Sequence, residues 1–278
     1  MKKTIIVLLG GLASAFSAAA KAEDDSGFSF SLGAAARYSP DYEGSDDYEA
    51  MALPMMSVDW KAKRSDLGDG ETDASVGLLD ASLSFPKGLD VTFADIRGPL
   101  GAVEFSTGLG YEFGRDAGDN DALTGMGDID GFVVGKFGAL VKSRIGLFAG
   151  ADLNQSLSDD DNGYTVETKL GMQMPVSDSI VLIPQVSAVW ASDDHMQQFF
   201  GVSGSQAASS GYTRYTPDSG FKTVGVGVSA NWGITENWSL IGNVGVDRLI
   251  GDAADSPLVD GPGNATQPSL FLGGSYKF

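Results

Sequence analysis

The sequence predicts an all-β protein: a transmembrane antiparallel β-barrel of about 12 strands, with roughly 10 to 14 possible. Three observations predict this fold. Segments of about ten residues alternate apolar with polar side chains, aromatic residues gather near the segment ends, and short turns alternate with long polar connectors. In a barrel of this kind the short turns face the periplasm and the long loops are extracellular.

The composition excludes several classes of protein. The 278 residues include no cysteine and one histidine, His195, so disulfide scaffolds, thiolate zinc sites, cysteine nucleophiles and multi-histidine metal sites are excluded. The 18 basic residues against 37 acidic ones give a net charge of −19, so the chain has no charge-driven affinity for nucleic acid. No cofactor is predicted.

The first residues predict a cleaved secretory signal. Lys2 and Lys3 precede an apolar stretch, and Ala20-Lys21-Ala22 fits the small-x-small pattern of a signal peptidase site. We therefore expect residues 1–22 to be removed and 23–278 to form a single barrel domain. A membrane anchor is the less favoured alternative, because the apolar stretch is short for a bilayer span.

The alternation begins between Phe28 and Tyr38, where apolar and aromatic side chains occupy the even positions and small or charged ones the odd positions. A strand separates these two sets onto opposite faces, whereas a helix would scatter them. The pattern recurs along the chain. The predicted strands are 28–39, 50–61, 74–85, 88–96, 103–113, 129–139, 144–154, 163–174, 180–191, 221–232, 239–250 and 269–278.

A membrane barrel is favoured over a water-soluble sandwich, because strands of about ten residues suit a tilted membrane crossing. Aromatic residues such as Trp232 and Trp238 lie near strand ends, as an interfacial girdle requires. The connector 62–73 is an exception, since it is long and yet falls on the periplasmic side. Weak patterning in strands three and four leaves about ten strands possible. Pro54 and Pro184 lie inside strands, and each predicts a bulge.

The carboxyl end and several internal strings resemble a known family. The alternating last strand ends with Tyr276 and Phe278, which resembles the signature by which the outer-membrane assembly machinery selects its clients. The internal strings are Tyr38–Ser45, Gly110–Arg115, Gly125–Ile129, Phe200–Ser203, Ser210–Tyr212 and Leu249–Val259. Together they resemble the MipA/OmpV family of MltA-interacting outer-membrane proteins, over nearly the whole chain after residue 22.

The resemblance implies an outer-membrane barrel of a Gram-negative bacterium, in contact with lipid and lipopolysaccharide. For some members it implies a scaffold that joins a murein lytic transglycosylase to a bifunctional penicillin-binding protein. Other members are described as porin-like, or are linked to osmotic response, adhesion or antibiotic entry. The resemblance therefore defines location and fold better than it defines the task.

Two patterns suggest chemistry, and a surface loop explains each of them better. Asp193, Asp194, His195 and Ser203 supply the residue types of a serine hydrolase, but the serine lacks the G-x-S-x-G elbow. The protein is therefore expected not to be an enzyme. Aspartates also cluster in loops, with no spacing typical of a calcium loop. Calcium or magnesium bridging from these carboxylates to lipopolysaccharide phosphates is a weaker hypothesis. The clustered residues are Asp116, Asp119, Asp121, Asp128, Asp130, Asp159, Asp160 and Asp161.

Charged residues on the polar face of the strands are expected to line the lumen, because charges are costly against lipid. Both signs are present, so these residues either line a water-filled pore or pair across a closed one. The lumen-lining candidates are Arg37, Asp59, Glu104, Glu112, Lys136, Arg144, Asp152, Glu167, Lys169, Asp247 and Lys277.

Two principal hypotheses for function follow. The first is a docking protein for periplasmic cell-wall enzymes, with the acidic turn 62–73 as its contact surface. The second is a channel for small solutes with a modest preference for cations. A surface adhesin, based on the loops 192–220 and 251–268, is a third.

Overall fold

The structure is a computed structural model that describes residues 27–62, 73–158 and 162–278. The β-segments are β1 (Gly27–Pro40), β2 (Tyr48–Lys61), β3 (Asp73–Phe85), β4 (Gly88–Gly98), β5 (Gly101–Glu112), β6 (Phe132–Ser143), β7 (Leu147–Ser156), β8 (Tyr164–Met172), β9 (Met174–Pro175), β10 (Ile180–Ala191), β11 (Gly220–Gly233), β12 (Trp238–Leu249) and β13 (Thr266–Lys277). The helices are α1 (Asp193–Phe200), α2 (Gly204–Ser210) and α3 (Pro257–Asp260). None of the helices in the described part of the chain is long and apolar enough to cross a membrane.

The strands close into a barrel. Consecutive strands pair antiparallel, β1 pairs with both β2 and β13, and β10 pairs with β11 as well as with β8. The two-residue β9 continues β8 along the same edge of β10, so the segments make twelve strands. The predicted fold class, a twelve-stranded antiparallel barrel, is confirmed.

The two faces of the wall differ as a membrane barrel requires. Val226 and Leu170 point outward and are 60% and 55% exposed, whereas Glu167 and Lys169 point inward and are buried. An apolar outer surface suits lipid, and a polar inner surface suits a lumen. Apart from the two-residue β3–β4 turn and the connector between β2 and β3, the short turns lie at one end of the barrel, which is therefore the periplasmic end, and the long connectors lie at the other.

The predicted boundaries agree with the observed strands to within a few residues, and the largest shift concerns β6 and β7. Their turn comprises residues 144–146 rather than 140–143. Leu140 and Val141 continue the alternation of β6, and Gly146 provides the positive φ of 88° that this turn requires. Arg144 consequently lies in the periplasmic turn instead of on a strand.

The β3–β4 hairpin, with strands of 13 and 11 residues, is displaced toward the periplasmic end relative to β2. Its turn follows Phe85, which pairs with Met56, so the upper part of β2 from Tyr48 to Met55 has no partner on that side. Pro54 lies in this unpaired stretch, where a missing N–H costs nothing, and the register with β1 continues through it without a bulge. Pro184 lies opposite the break between β8 and β9, again without a register shift. The two predicted bulges are therefore wrong, because each proline lies where the ladder is already interrupted.

Candidate functional site

The extracellular loops 41–47, 113–131, 192–219 and 250–265 pack together over the mouth of the barrel, and we call this assembly the lid. Two clusters of buried side chains form its core. The first comprises Ile129, Phe132, Val134, Ala191, Met196, Phe199, Phe200, Leu249, Ala253 and Val259. The second comprises Tyr42, Leu123, Met126, Val202 and Leu258. Because long loops rarely bury such a core, the lid is a folded structure rather than a set of loose connectors.

Local sequence explains why the lid forms helices. Ser192 caps α1 by accepting a hydrogen bond from the backbone N–H of His195, and two aspartates occupy the first turn. Ser203 and Gln206 form a reciprocal capping box on α2. Both serines are therefore capping residues.

Hydrogen bonds join the lid loops to one another. The hydroxyl of Ser256 donates to the carbonyl of Phe200 at 2.6 Å, and Arg115 donates to the carbonyl of Phe199 at 3.1 Å. The hydroxyl of Tyr42 donates to the carbonyl of Leu258 at 3.2 Å. Loops distant in sequence thus hold one another in a single arrangement.

A buried charged cluster lies beneath this core. Lys222 is fully buried, and its Nζ donates to Glu43 Oε2 at 2.8 Å and to His195 Nε2 at 3.1 Å. A lysine ammonium can only donate, so His195 accepts through Nε2 and is neutral, with its proton on Nδ1. The cluster connects the first loop, α1 and β11 through one cation.

The pKa of His195 is lowered well below its usual 6.5. Burial is the largest cause, the charge of Lys222 adds to it, and a hydrogen bond with the backbone of Asn162 acts in the opposite direction. A neutral histidine fixed on a lysine is not arranged as a catalytic base. Ser203 interacts with Gln206 and Ser205, and the described residues show no hydrogen bond between Ser203 and His195.

The lumen-lining candidates lie mostly on the inward face. Arg37, Glu104, Glu112, Glu167, Lys169 and Asp247 alternate with lipid-facing residues on β1, β5, β8 and β12. Lys277 lies at the end of β13, at the periplasmic mouth. Their role in conduction or closure stays a prediction.

Several lumen charges form pairs. Lys169 Nζ lies 2.6 Å from Asp152 Oδ2, and Lys142 Nζ lies 2.6 Å from Glu104 Oε2. Asp59 accepts hydrogen bonds from Ser57 and Ser82. Pairing between neighbouring strands reduces the charge that the lumen presents to a solute.

The final residues join the periplasmic girdle of aromatic side chains. Tyr276 packs edge-to-face against Trp238 and against Phe278, with ring centroids 5.2 and 4.9 Å apart. The backbone N–H of Phe278 donates to Phe30 at 2.9 Å. Recognition of these residues by the assembly machinery stays a prediction.

The described residues contain no group of three or more acidic or histidine side chains that could hold a metal ion. Asp159, Asp160 and Asp161 lie outside the described residues, as do the predicted signal at 1–22 and most of the turn 62–73. Sequence reasoning missed Lys222 and Glu43. Lys222 interrupts the alternation at the start of β11, where a register shift in the pairing with β10 admits one extra residue, and this interruption was the available clue.

The closed wall, its apolar outer face and its aromatic girdle at the periplasmic end define an outer-membrane β-barrel protein of a Gram-negative bacterium. Residues 32–278 match the family described as MltA-interacting protein MipA, and the chain belongs to that family.

Two curated relatives are the MltA-interacting proteins of Escherichia coli K12 and Shigella flexneri. Each is 28% identical over 99 residues, which is 36% of this chain and 38% of the relative. The matched segment thus spans less than two fifths of their length. Among solved structures, an outer-membrane channel from Pseudomonas putida F1 superposes with a TM-score of 0.54 over 91% of this chain and 96% of that one. Its identity is 11%, so this likeness shows the fold alone.

Proposed function

We propose that this barrel is a docking protein for a periplasmic murein lytic transglycosylase, which it could join to a bifunctional penicillin-binding protein, and that it is not an enzyme. Family membership and the names of the two relatives support the first partner. The observation that carries the proposal is the lid, because a packed apolar core over the extracellular mouth suits a structural barrel better than an open pore.

The periplasmic end offers a surface for docking. The β3–β4 ladder continues to the pair of Asp73 with Arg97, whereas the ladder of β2 with β3 ends at Lys61 and Asp80, followed by one hydrogen bond from the N–H of Ala62 to the carbonyl of Leu79. The β3 segment 73–79 therefore extends past the last residue of β2. The segment 94–98 is paired with β5 in the wall. We call the segment 73–79, together with the β4–β5 turn at 99–100, the periplasmic spur.

The spur carries apolar side chains that nothing in the described residues covers. Val76 is 80% exposed and Leu100 is 87% exposed. Leu100 lies in the β4–β5 turn, beyond the strands, where an exposed apolar side chain is typical of a protein interaction site. Arg144 lines a cavity of about 300 Å³ next to Gly98 and Gly101 and adds positive charge to this side of an acidic protein, whereas Lys142 in the same lining is paired with Glu104.

Substitution of Val76 and Leu100 by aspartate is expected to weaken capture of a purified lytic transglycosylase at least about tenfold, because buried apolar side chains dominate interface energetics. The measurement is binding of the soluble enzyme to immobilised, folded barrel. Ile234→Asp is the matched control, since Ile234 is 45% exposed in another periplasmic turn. Equal losses in the control and the spur variant would contradict the assignment of the spur.

Deletion of residues 65–72 tests the turn itself. We expect the deletion to reduce capture and to leave barrel assembly intact, as judged by the altered gel mobility of unheated, folded protein. Undiminished capture by this variant would exclude the turn as the contact.

A channel for small solutes is the second candidate, and the polar inward face of the strands favours it. Single-channel recordings of folded protein in a planar bilayer test this function. Discrete current steps that change in Glu167→Gln or Lys169→Gln would support it. Silence from folded protein would favour the docking function.

A further inference from the structure

Because the β3–β4 hairpin is displaced toward the periplasmic end, it leaves an opening in the wall of the barrel. Its turn stops opposite Met56 on one side and Leu109 on the other, because Met56 pairs with Phe85 and Leu109 pairs with Leu89. Above the turn, two strands are missing between β2 and β5. Two missing strands at a spacing of about 4.8 Å correspond to a gap of about 14 Å along the wall.

The opening has a frame on every side, and we call it the window. Its sides are the unpaired edge Tyr48–Met55 of β2 and the end of β5 at Gly110–Glu112. The turn at Pro86 and Lys87 is its floor. Its roof is Asn120 of the lid, whose Nδ2 donates to Asp41 at 2.8 Å and to Asp47 at 3.2 Å.

The inner surface of β2 beside the window is apolar, unlike most of the lumen. Met51, Leu53 and Met55 point inward, whereas Ala52 and Pro54 point outward. A Cβ at Gly273 would lie 2.9 Å from Met55 Sδ, so the Met55 side chain lies over the inner wall instead of filling the window. This surface suits a hydrocarbon chain better than a hydrated ion.

The opposite side of the window carries lysines together with carboxylates: Asp90 lies close to Lys136 and Lys87, and Glu112 is on the inward face of the edge. A Cβ at Gly110 would meet Lys136 Cε at 2.5 Å, so the Lys136 side chain passes directly behind that edge. Its Nζ donates to the carbonyl of Lys87 in the floor at 3.1 Å. The window thus presents apolar side chains on one side and charges of both signs, with two lysines among them, on the other.

The position of the window gives it access to lipid. Tyr38 and Tyr48 stack at the top of β1 and β2 with ring centroids 5.3 Å apart, and Tyr111 packs against Phe113 on β5. These rings mark the outer membrane interface on both sides of the window. Unpaired backbone groups facing hydrocarbon are costly, so such an edge is stable only beside water or a bound molecule.

We propose that the window is a lateral portal through which a single-chain anionic amphiphile, such as a fatty acid, passes from the outer leaflet into the lumen. The chain lies along Met51, Leu53 and Met55, and the carboxylate is held by Lys136 near Lys87. The lid closes the axial route at the extracellular mouth, which leaves the side wall as the path.

Access from lipid is tested with a fluorophore at Leu53→Cys in the full-length barrel in vesicles, since the chain has no native cysteine. Bromines on the acyl chains of the vesicle lipid should quench a bimane label at this position. Ser187→Cys is the matched control, because Ser187 also faces the lumen but lies on β10, across the barrel. A label at Ala52→Cys faces lipid directly and gives the maximum quenching expected from brominated lipid.

Recognition of the head group is tested with 12-bromododecanoate as the quenching probe in vesicles of plain lipid. Quenching of the label at Leu53→Cys should saturate as the probe concentration rises. Lys136→Gln should raise the half-saturating concentration about tenfold, which corresponds to the loss of one charge-assisted hydrogen bond. Lys142→Gln is the control, because Lys142 is a lumen lysine near the periplasmic turns that is paired with Glu104. The alcohol 12-bromododecanol should require a higher concentration than the acid.

Three results would overturn the proposal. Equal quenching by brominated lipid at Leu53 and Ser187 would mean that the label senses something other than the window. No quenching at Leu53 by lipid or probe would mean that another molecule, such as a second copy of the chain, covers the edge. An unchanged half-saturating concentration in Lys136→Gln would remove the lysine from the site.

Discussion

Replacement of Lys222 by methionine is expected to destabilise the lid by about 3–5 kcal/mol, because removing one partner of a buried ion pair leaves the other charge uncompensated. Lys222 is fully buried, and the side chain of Glu43 is 12% exposed. Methionine keeps much of the volume of lysine, so the loss reports the charge rather than a cavity. Hydrogen–deuterium exchange of peptides from α1 and from the first loop measures it.

A double variant separates the charge from other effects. Lys222→Met with Glu43→Gln should be less destabilising than the sum of the two single changes, since neither charge is then left alone. Lys142→Met is the matched control, because Lys142 pairs with Glu104 and both side chains are partly exposed, at 38% and 28%. The Lys142–Glu104 pair should contribute about 0–1 kcal/mol to the stability of the folded protein. Lid exchange that is the same in Lys222→Met and wild type would contradict the assigned role of the cluster.

Most of the barrel could be predicted from the sequence, because period-two alternation is a local property of each strand. β1, β10 and β11 agree with prediction almost to the residue, as do the inward positions of Arg37 and Glu167. The predicted strand boundaries are wrong where apolar residues fit either a strand or a turn, as Leu140 and Val141 do at the end of β6.

The lid and the window could not be predicted in this way, because both depend on contacts between distant parts of the chain. Glu43 and Lys222 are separated by 179 residues, and nothing local pairs them. The window depends on how far the β3–β4 hairpin rises relative to β2 and β5, which is a matter of register. Pro54 was the local clue to the window, because a proline is tolerated better on an unpaired strand edge than inside a fully paired strand.

Acidification is expected to destabilise the lid through His195. Its pKa in the folded lid is well below 6.5, so the unfolded lid binds a proton first as the pH falls. The contribution of the neutral histidine is therefore fully present above pH 6.5 and is lost as the pH falls from 6.5 toward the lowered value. The loss is at most about 1.4 kcal/mol for each pH unit in this interval.

Exchange of lid peptides between pH 8 and pH 5, corrected for the intrinsic pH dependence of amide exchange, measures this effect against barrel strands in the same sample. His195→Gln is the informative variant, because a glutamine can still accept from Lys222 but does not titrate. Its lid should open with little pH dependence over this range. A wild-type lid whose stability stays flat from pH 8 to pH 5 would mean that His195 keeps water as its neighbour and is not locked against Lys222. The distance of 3.1 Å between Nε2 and Nζ argues for a wild-type lid that loses stability as the pH falls. A second positive charge at that separation cannot be accommodated without opening the cluster.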